Sequence, residues 1–92
     1  MQRRKKIEVP VLLFAAPREL LGVERVIVHV SSLPATVGGL RGSLLAAHPA
    51  LSQLLPSCLF AVKEALVALE EEAAFHLKAS QEVALIPPVS GG

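Results

Sequence analysis

Two apolar runs near the ends of the chain constrain the fold more than any other feature. Residues 7–15 read IEVPVLLFA, and the last run extends from Glu82 to Ile86. Both are apolar on both alternating faces, which is typical of strands covered on both sides of a sheet. Two such strands with a helix between them favour parallel pairing of the first and last strands within a mixed sheet. Pro10 lacks an N–H, so we expect it at the beginning of its strand or on a bulge.

The segments between these runs predict an α+β protein. Residues 18–22 are expected to form a short turn or helical loop, and residues 25–30 (RVIVHV) alternate like a half-buried strand. Apolar residues at helical spacing predict a helix over 37–47, with Thr36 as its N-cap. Residues 58–62 (CLFAV) are another strand candidate. Helix propensity alone then favours a single helix over residues 63–80.

Length and hydropathy limit the chain to one small domain. Ninety-two residues rarely form more than one domain. The mean hydropathy of +0.55 is high, yet the longest uncharged apolar stretch, residues 9–16, falls well short of the ~20 residues that span a bilayer. We therefore expect no membrane span, a cytoplasmic location and a surface that meets a partner protein.

Charge divides the chain into a basic N-terminal tail and an acidic body. Four of the nine basic residues lie together at residues 3–6, so residues 1–6 are interpreted as a solvated tail. Without these four, the net charge of +1 becomes −3, and this excess lies in residues 57–92. An acidic body with three Phe and no Tyr or Trp favours a basic protein surface as partner and disfavours nucleic acid.

No catalytic or metal-binding constellation is expected within the chain itself. Cys58 is the single cysteine and lies in an apolar segment, which indicates a buried thiol rather than a nucleophile. The three histidines are too scattered to form a ligand set, so no bound metal or cofactor is expected. Residues 70–72 are three consecutive glutamates, and two interpretations stay open: a docking patch for a basic partner or a solvated loop.

The C-terminus is the strongest functional signal. The chain ends Pro87, Pro88, Val89, Ser90, Gly91, Gly92, directly after the last predicted strand. Two prolines favour an extended exit from the domain, and two glycines leave no side chain to obstruct entry into a narrow channel. We therefore expect residues 87–92 to present the Gly92 carboxylate to the active site of another protein, where activation by ATP would make it reactive. A frayed terminus is the alternative.

The final residues carry a family resemblance. EVALIPPVSGG at 82–92 resembles the C-terminal signature of the molybdopterin synthase small subunits, the MoaD-type sulfur carriers, and VLLFAAPRELLG at 11–22 is similar to the opening segment of that family. The resemblance extends over nearly the whole chain beyond residue 6. One departure precedes the last strand, where the family usually has a Gly-Asp turn and this chain has Ser80-Gln81.

The resemblance implies a ubiquitin-like β-grasp fold over residues 7–86, a mixed sheet packed on one main helix. In that fold residues 63–80 would supply a short strand around 66–69 and a loop through 70–72. The resemblance therefore predicts no single helix over residues 63–80, although helix propensity favours one.

The resemblance also implies a function. An E1-like enzyme would adenylate Gly92 with ATP and convert it to a thiocarboxylate. The tail, residues 87–91, would then insert into the large (MoaE-type) synthase subunit within a heterotetramer. Gly92 would donate sulfur to cyclic pyranopterin monophosphate to build the dithiolene of molybdopterin. The alternatives are a ubiquitin-like protein modifier and a sulfur carrier for thiamine or tRNA thiolation.

Overall fold

The computed structural model describes residues 6–31 and 34–88, and these form one layer of sheet with helices on one side. The strands are β1 Ile7–Leu13, β2 Arg25–Val30, β3 Leu59–Val62, β4 Ala65–Val67 and β5 Val83–Ile86. The α-helices are α1 Ala15–Leu21 and α2 Val37–Ala47, and three 3-10 helices follow at Pro49–Gln53, Leu55–Ser57 and Leu69–Ala74.

The strand order β2-β1-β5-β3-β4 confirms the predicted mixed sheet. β1 and β5 are parallel, with Val11 opposite Val83 and Leu13 opposite Leu85. The other neighbouring strands are antiparallel. The first and last strands of the chain therefore lie side by side and end at the same edge of the sheet.

The core lies between the sheet and α2. α2 contributes Val37, Leu40 and Leu44, all fully buried. The hydroxyl of Thr36 accepts a hydrogen bond from the Gly39 N–H at 3.0 Å, as the capping prediction required. Phe60 is the largest side chain of the core. The predicted half-buried strand is also confirmed, because β2 buries Val28 and Val30 and exposes the alternate residues.

Pro10 lies inside β1 rather than at its start or on a bulge, and the expectation was wrong. The β1–β2 register runs without interruption through the pair Pro10 and Ile27. The Leu13 N–H donates to the Glu24 carbonyl at 2.8 Å, and antiparallel alternation therefore points the Pro10 nitrogen away from β2. On that side the pairing with β5 begins only at Val11, so no ladder hydrogen bond is lost.

β1 is shorter than residues 7–15, because the chain turns into α1 immediately after Phe14. Ala15 adopts a left-handed φ of 52°, which ends the extended backbone. α1 then ends at Gly22, whose φ is 73° and whose N–H donates to the Arg18 carbonyl. The predicted helical loop at 18–22 is thus part of a short helix.

Residues 63–80 do not form the single helix that propensity favours. Lys63 and Glu64 both have positive φ, 53° and 68°, and make the tight turn of a β3–β4 hairpin. β4 follows near the strand that the resemblance implied, and the glutamates belong to a 3-10 helix instead of a loop. Ser80 also adopts a positive φ of 66°, and its N–H donates to the Glu8 carbonyl at 2.8 Å. The turn before β5 therefore uses the left-handed backbone that glycine usually supplies.

Candidate functional site

The tail predicted to carry the chemistry begins at the end of β5. Pro87 and Pro88 follow Ile86 without an intervening element. The other predicted site residues, Val89, Ser90, Gly91 and Gly92, lie outside the described residues, so their roles stay predictions. The structure therefore defines where the tail starts and what surrounds its first two residues.

The root of the tail lies between two segments of the domain. Because β1 and β5 are parallel, the chain leaves both strands at the same edge, and β1 continues there into α1. On the other side of β5, the 3-10 helix Leu55–Ser57 leads through Cys58 into β3, whose Leu59 pairs with Ile86. Pro87 thus emerges between α1 and the start of β3.

The sheet face opposite the core carries an open apolar region in the described part of the chain. Phe14 is 43% exposed, Ile27 45% and Leu66 60%. A depression of about 740 Å³ crosses the centre of this face, and its apolar lining is Leu12, Phe14, Ala61, Leu66, Val83, Ala84 and Ile86. Lys63, Glu64, Gln81 and Glu82 complete its lining at the end distant from the tail root. We call this surface the open face.

The open face explains why β1 and β5 are apolar on both sides. Their inward residues, such as Val11 and Leu85, fill the core, and their outward residues, such as Leu12 and Ile86, line the depression. The sequence predicted strands covered on both sides, but only one side is covered by described residues. A contiguous exposed apolar surface of this kind usually marks a protein interaction site.

One pair of charged residues was missed by sequence reasoning. Arg41 of α2 holds Glu72 in a two-bond contact, Nε to Oε1 at 2.9 Å and Nη2 to Oε2 at 2.7 Å. The same guanidinium donates to the carbonyls of Leu55 and Cys58 and lies 5.0 Å from the centre of the Phe60 ring. We call this set the Arg41 clasp.

The Arg41 clasp contradicts both interpretations of the acidic run for Glu72, and both stay open for the two glutamates before it. Glu70 and Glu71 are exposed, but Glu72 is only 5% exposed and points inward. It therefore belongs to neither a solvated loop nor a docking patch. Arg41 and Glu72 are 31 positions apart, and no local spacing signal connects them.

The remaining candidates from the sequence have structural roles. Cys58 is buried, as expected, and its thiol donates to the Leu54 carbonyl at 3.2 Å. Burial raises the pKa of this thiol, and the nearby Arg41 charge offsets only part of that shift. His29 contacts Glu8 at 3.1 Å on an exposed strand surface.

Within residues 6–31 and 34–88, no three His, Cys, Asp or Glu side chains converge as a metal site would require. Over the same ranges, no helix is long and apolar enough to cross a membrane.

Comparison with solved structures defines the class of the protein. The small archaeal modifier protein 1 (SAMP1) of Haloferax volcanii superposes with a TM-score of 0.74 and 33% identity, covering 92% of this chain and 99% of the other. A ubiquitin of Caldiarchaeum subterraneum shares the fold with a TM-score of 0.58 at 15% identity, covering 96% of this chain and 100% of the other. The chain is therefore a ubiquitin-like β-grasp protein, as the resemblance implied.

Within this class the chain belongs to the ThiS family, whose model matches residues 11–92. A molybdopterin synthase sulfur carrier subunit of Chlamydomonas reinhardtii is 37% identical, with 94% of this chain and all of that protein covered. The human protein of the same name is 32% identical over 92% of this chain and 94% of its own length. These relatives confirm the resemblance to the sulfur-carrier family.

Proposed function

We propose that this protein is the sulfur carrier subunit of a molybdopterin synthase. The observation that carries the proposal is the 37% identity to a protein of that name over its entire length. The site agrees with a carrier more than with an independent enzyme. Its described residues offer an apolar docking face and the root of a tail, and its one cysteine is buried.

Gly92 is the reacting residue in this proposal. A carboxylate is a poor electrophile, so an E1-like enzyme first joins it to AMP with ATP, releasing pyrophosphate. A sulfur nucleophile then displaces AMP and leaves a thiocarboxylate, which is a soft sulfur donor. Sulfur passes to cyclic pyranopterin monophosphate and contributes to its dithiolene. The carrier itself holds no cofactor, since ATP is used by the activating enzyme.

The large synthase subunit is the partner that we assign to the open face. Ala84 and Ile86 of β5 line this face, and the same strand continues into Pro87 and Pro88. A protein that receives the tail is thereby brought against the face. The acidic body favours a basic partner surface, which speeds association more than it adds affinity. We expect a heterotetramer in the cytoplasm, with the catalytic side chains on the large subunit.

The decisive experiment is sulfur transfer with purified components. The protein is co-expressed with its activating enzyme and mixed with the large subunit and cyclic pyranopterin monophosphate. The intact chain should support dithiolene formation, and a variant lacking Gly92 should not. Intact-mass measurement should show one oxygen replaced by sulfur in the full chain only. Persistent absence of that species in the full chain would refute the proposal.

A matched control separates loss of chemistry from loss of fold. The Gly92-deleted variant should unfold at the same temperature as the full chain, because β5, the last described strand, ends at Ile86, six positions before Gly92 in the sequence. It should also still bind the large subunit through the open face. Loss of both binding and thermal stability would mean that the tail has a structural role instead.

A second candidate is a protein modifier joined through Gly92 to lysine side chains. The structures named small archaeal modifier protein 1 favour it, since two from Haloferax volcanii are 33% and 31% identical to this chain. A modifier would form higher-mass conjugates that survive a reductant. A carrier alone would form none, so immunoblots of cell extracts under reducing conditions distinguish the two. Carriage of sulfur for thiamine or tRNA thiolation would use the same tail with another acceptor.

A further inference from the structure

A second depression lies on the other side of the tail root from the open face. Its volume is about 290 Å³. Three segments line it: the start of α1, the approach to β3 and the first residues of the tail, namely Ala15, Ala16, Pro17, Leu54, Ser57, Cys58, Pro87 and Pro88. We call it the root groove. The open face is lined at this same end of the sheet by Phe14 and Ile86.

The chemistry of the root groove selects an apolar occupant. None of its lining residues is charged. Its two polar side chains are already bonded, because the Ser57 hydroxyl and the Cys58 thiol both donate to the Leu54 carbonyl, at 3.0 and 3.2 Å. A phosphate would therefore find no free side-chain donor there, and a cation would find no carboxylate, whereas an apolar side chain would lose nothing.

One wall of the root groove is held in place before any partner binds. The Arg41 guanidinium donates to the Leu55 carbonyl at 2.6 Å and to the Cys58 carbonyl at 2.9 Å, on either side of the short segment that carries Ser57. The opposite wall belongs to α1, where Pro17 is buried. A preformed pocket costs little ordering entropy when it is filled, which favours its use in binding.

We propose that the root groove receives an apolar side chain from the rim of the channel that takes up the tail in the large synthase subunit. Pro87 and Pro88 are at once the first residues of the tail and part of the groove wall. A channel that encloses the chain beyond Pro88 must therefore approach the groove. The partner then contacts the end of β5 on both faces of the sheet, at the open face and at the root groove. This inference rests on the proposed function, since it requires the large subunit.

The test fills the root groove from each wall in turn and measures binding to the purified large subunit. Ser57→Arg and Ala16→Arg place a long side chain at exposed positions on the two walls. Ser52→Arg is the matched control, because Ser52 is also exposed, lies in the neighbouring 3-10 helix and does not line the groove. Thermal unfolding of each variant establishes that the fold is retained.

Both groove variants should raise the dissociation constant at least about tenfold, as expected for blocking a buried anchor. Ser52→Arg should leave the dissociation constant within twofold of the wild-type value. The inference is overturned if both groove variants bind like the wild type while the wild type binds and transfers sulfur, which leaves the proposed function intact. Failure of the wild type to bind the large subunit would instead refute both.

Two other occupants give different results. If the tail of the free protein filled the groove, Ser57→Arg would tighten binding by releasing the tail. If a second copy of the chain filled it, sedimentation would show a wild-type dimer that Ser57→Arg dissociates. Either result would overturn the assignment to the large subunit.

Discussion

Removing the guanidinium of the Arg41 clasp should be among the most damaging single changes in this domain. Arg41→Met keeps an unbranched side chain over Phe60 but deletes four hydrogen bonds. It leaves the Glu72 carboxylate, whose side chain is 7% exposed, without its cation. Breaking a buried ion pair from one side costs about 3–5 kcal/mol. For a domain of this size that corresponds to a fall of about 12–40 °C in the melting temperature.

Urea unfolding followed by far-ultraviolet circular dichroism measures this effect, with two further variants as controls. Arg41→Lys keeps the charge but not the planar fork, so its loss of stability should lie between those of the wild type and Arg41→Met. The double variant Arg41→Met with Glu72→Leu removes the stranded carboxylate as well. It should therefore be more stable than Arg41→Met alone.

A loss below about 1 kcal/mol in Arg41→Met would refute this reasoning, because that is the value of an exposed surface pair. The same result would weaken the case for a preformed root groove, one wall of which the guanidinium holds through Leu55 and Cys58. A double variant less stable than Arg41→Met would indicate that packing around Glu72, rather than its charge, dominates.

Four further changes test individual contacts. Thr36→Ala should lower the free energy of unfolding by about 1 kcal/mol in urea titrations, because the Gly39 N–H loses its cap; no change would deny the cap a role. Ser80→Gly should raise it by up to about 1 kcal/mol by relieving the left-handed backbone, and an unchanged free energy would contradict the strain assigned to Ser80. Leu66→Lys should weaken binding of the large subunit, whereas Leu69→Lys, at a similarly exposed leucine outside the depression, should not; equal effects would exclude the open face as the interface. Burial raises the pKa of the Cys58 thiol, so the folded state keeps a proton that the unfolded chain releases, and stability is lost as pH rises above about 8.5. Cys58→Ala should show a shallower alkaline loss in urea titrations at increasing pH, and an unchanged slope would contradict the shift.

The strands and the main helix were predictable because their signals are local. Apolar residues on both faces identified β1 and β5, and the hydroxyl of Thr36 marked the start of α2. Residues 63–80 misled the propensity argument since their Ala, Leu and Glu content favours a helix. Two left-handed residues, Lys63 and Glu64, turn the chain into a hairpin there, and pairing with β3 outweighs propensity.

The features that escaped prediction depend on contacts between distant parts of the chain. In the sequence, Glu72 cannot be distinguished from the two glutamates before it. Only the fold shows that Glu72 is the one that binds the Arg41 guanidinium. Apolar faces on β1 likewise do not reveal which face the helices cover. Only the tertiary arrangement distinguishes the core from the open face.

The position of β5 in the sheet suits the attachment of the tail that we propose to be reactive. β5 pairs with β1 on one side and β3 on the other, and Val83 and Leu85 are fully buried. A pull on the tail would therefore act on a strand that has hydrogen-bonded neighbours on both sides. β2 and β4 are the edge strands, and each would separate more easily from its single neighbour. In the proposed function the reacting residue is Gly92, six positions after the end of β5 in the sequence. On this proposal the C-terminus would be consumed and regenerated while β1 and β3 continue to hold β5 at the centre of the sheet, between the open face and the core.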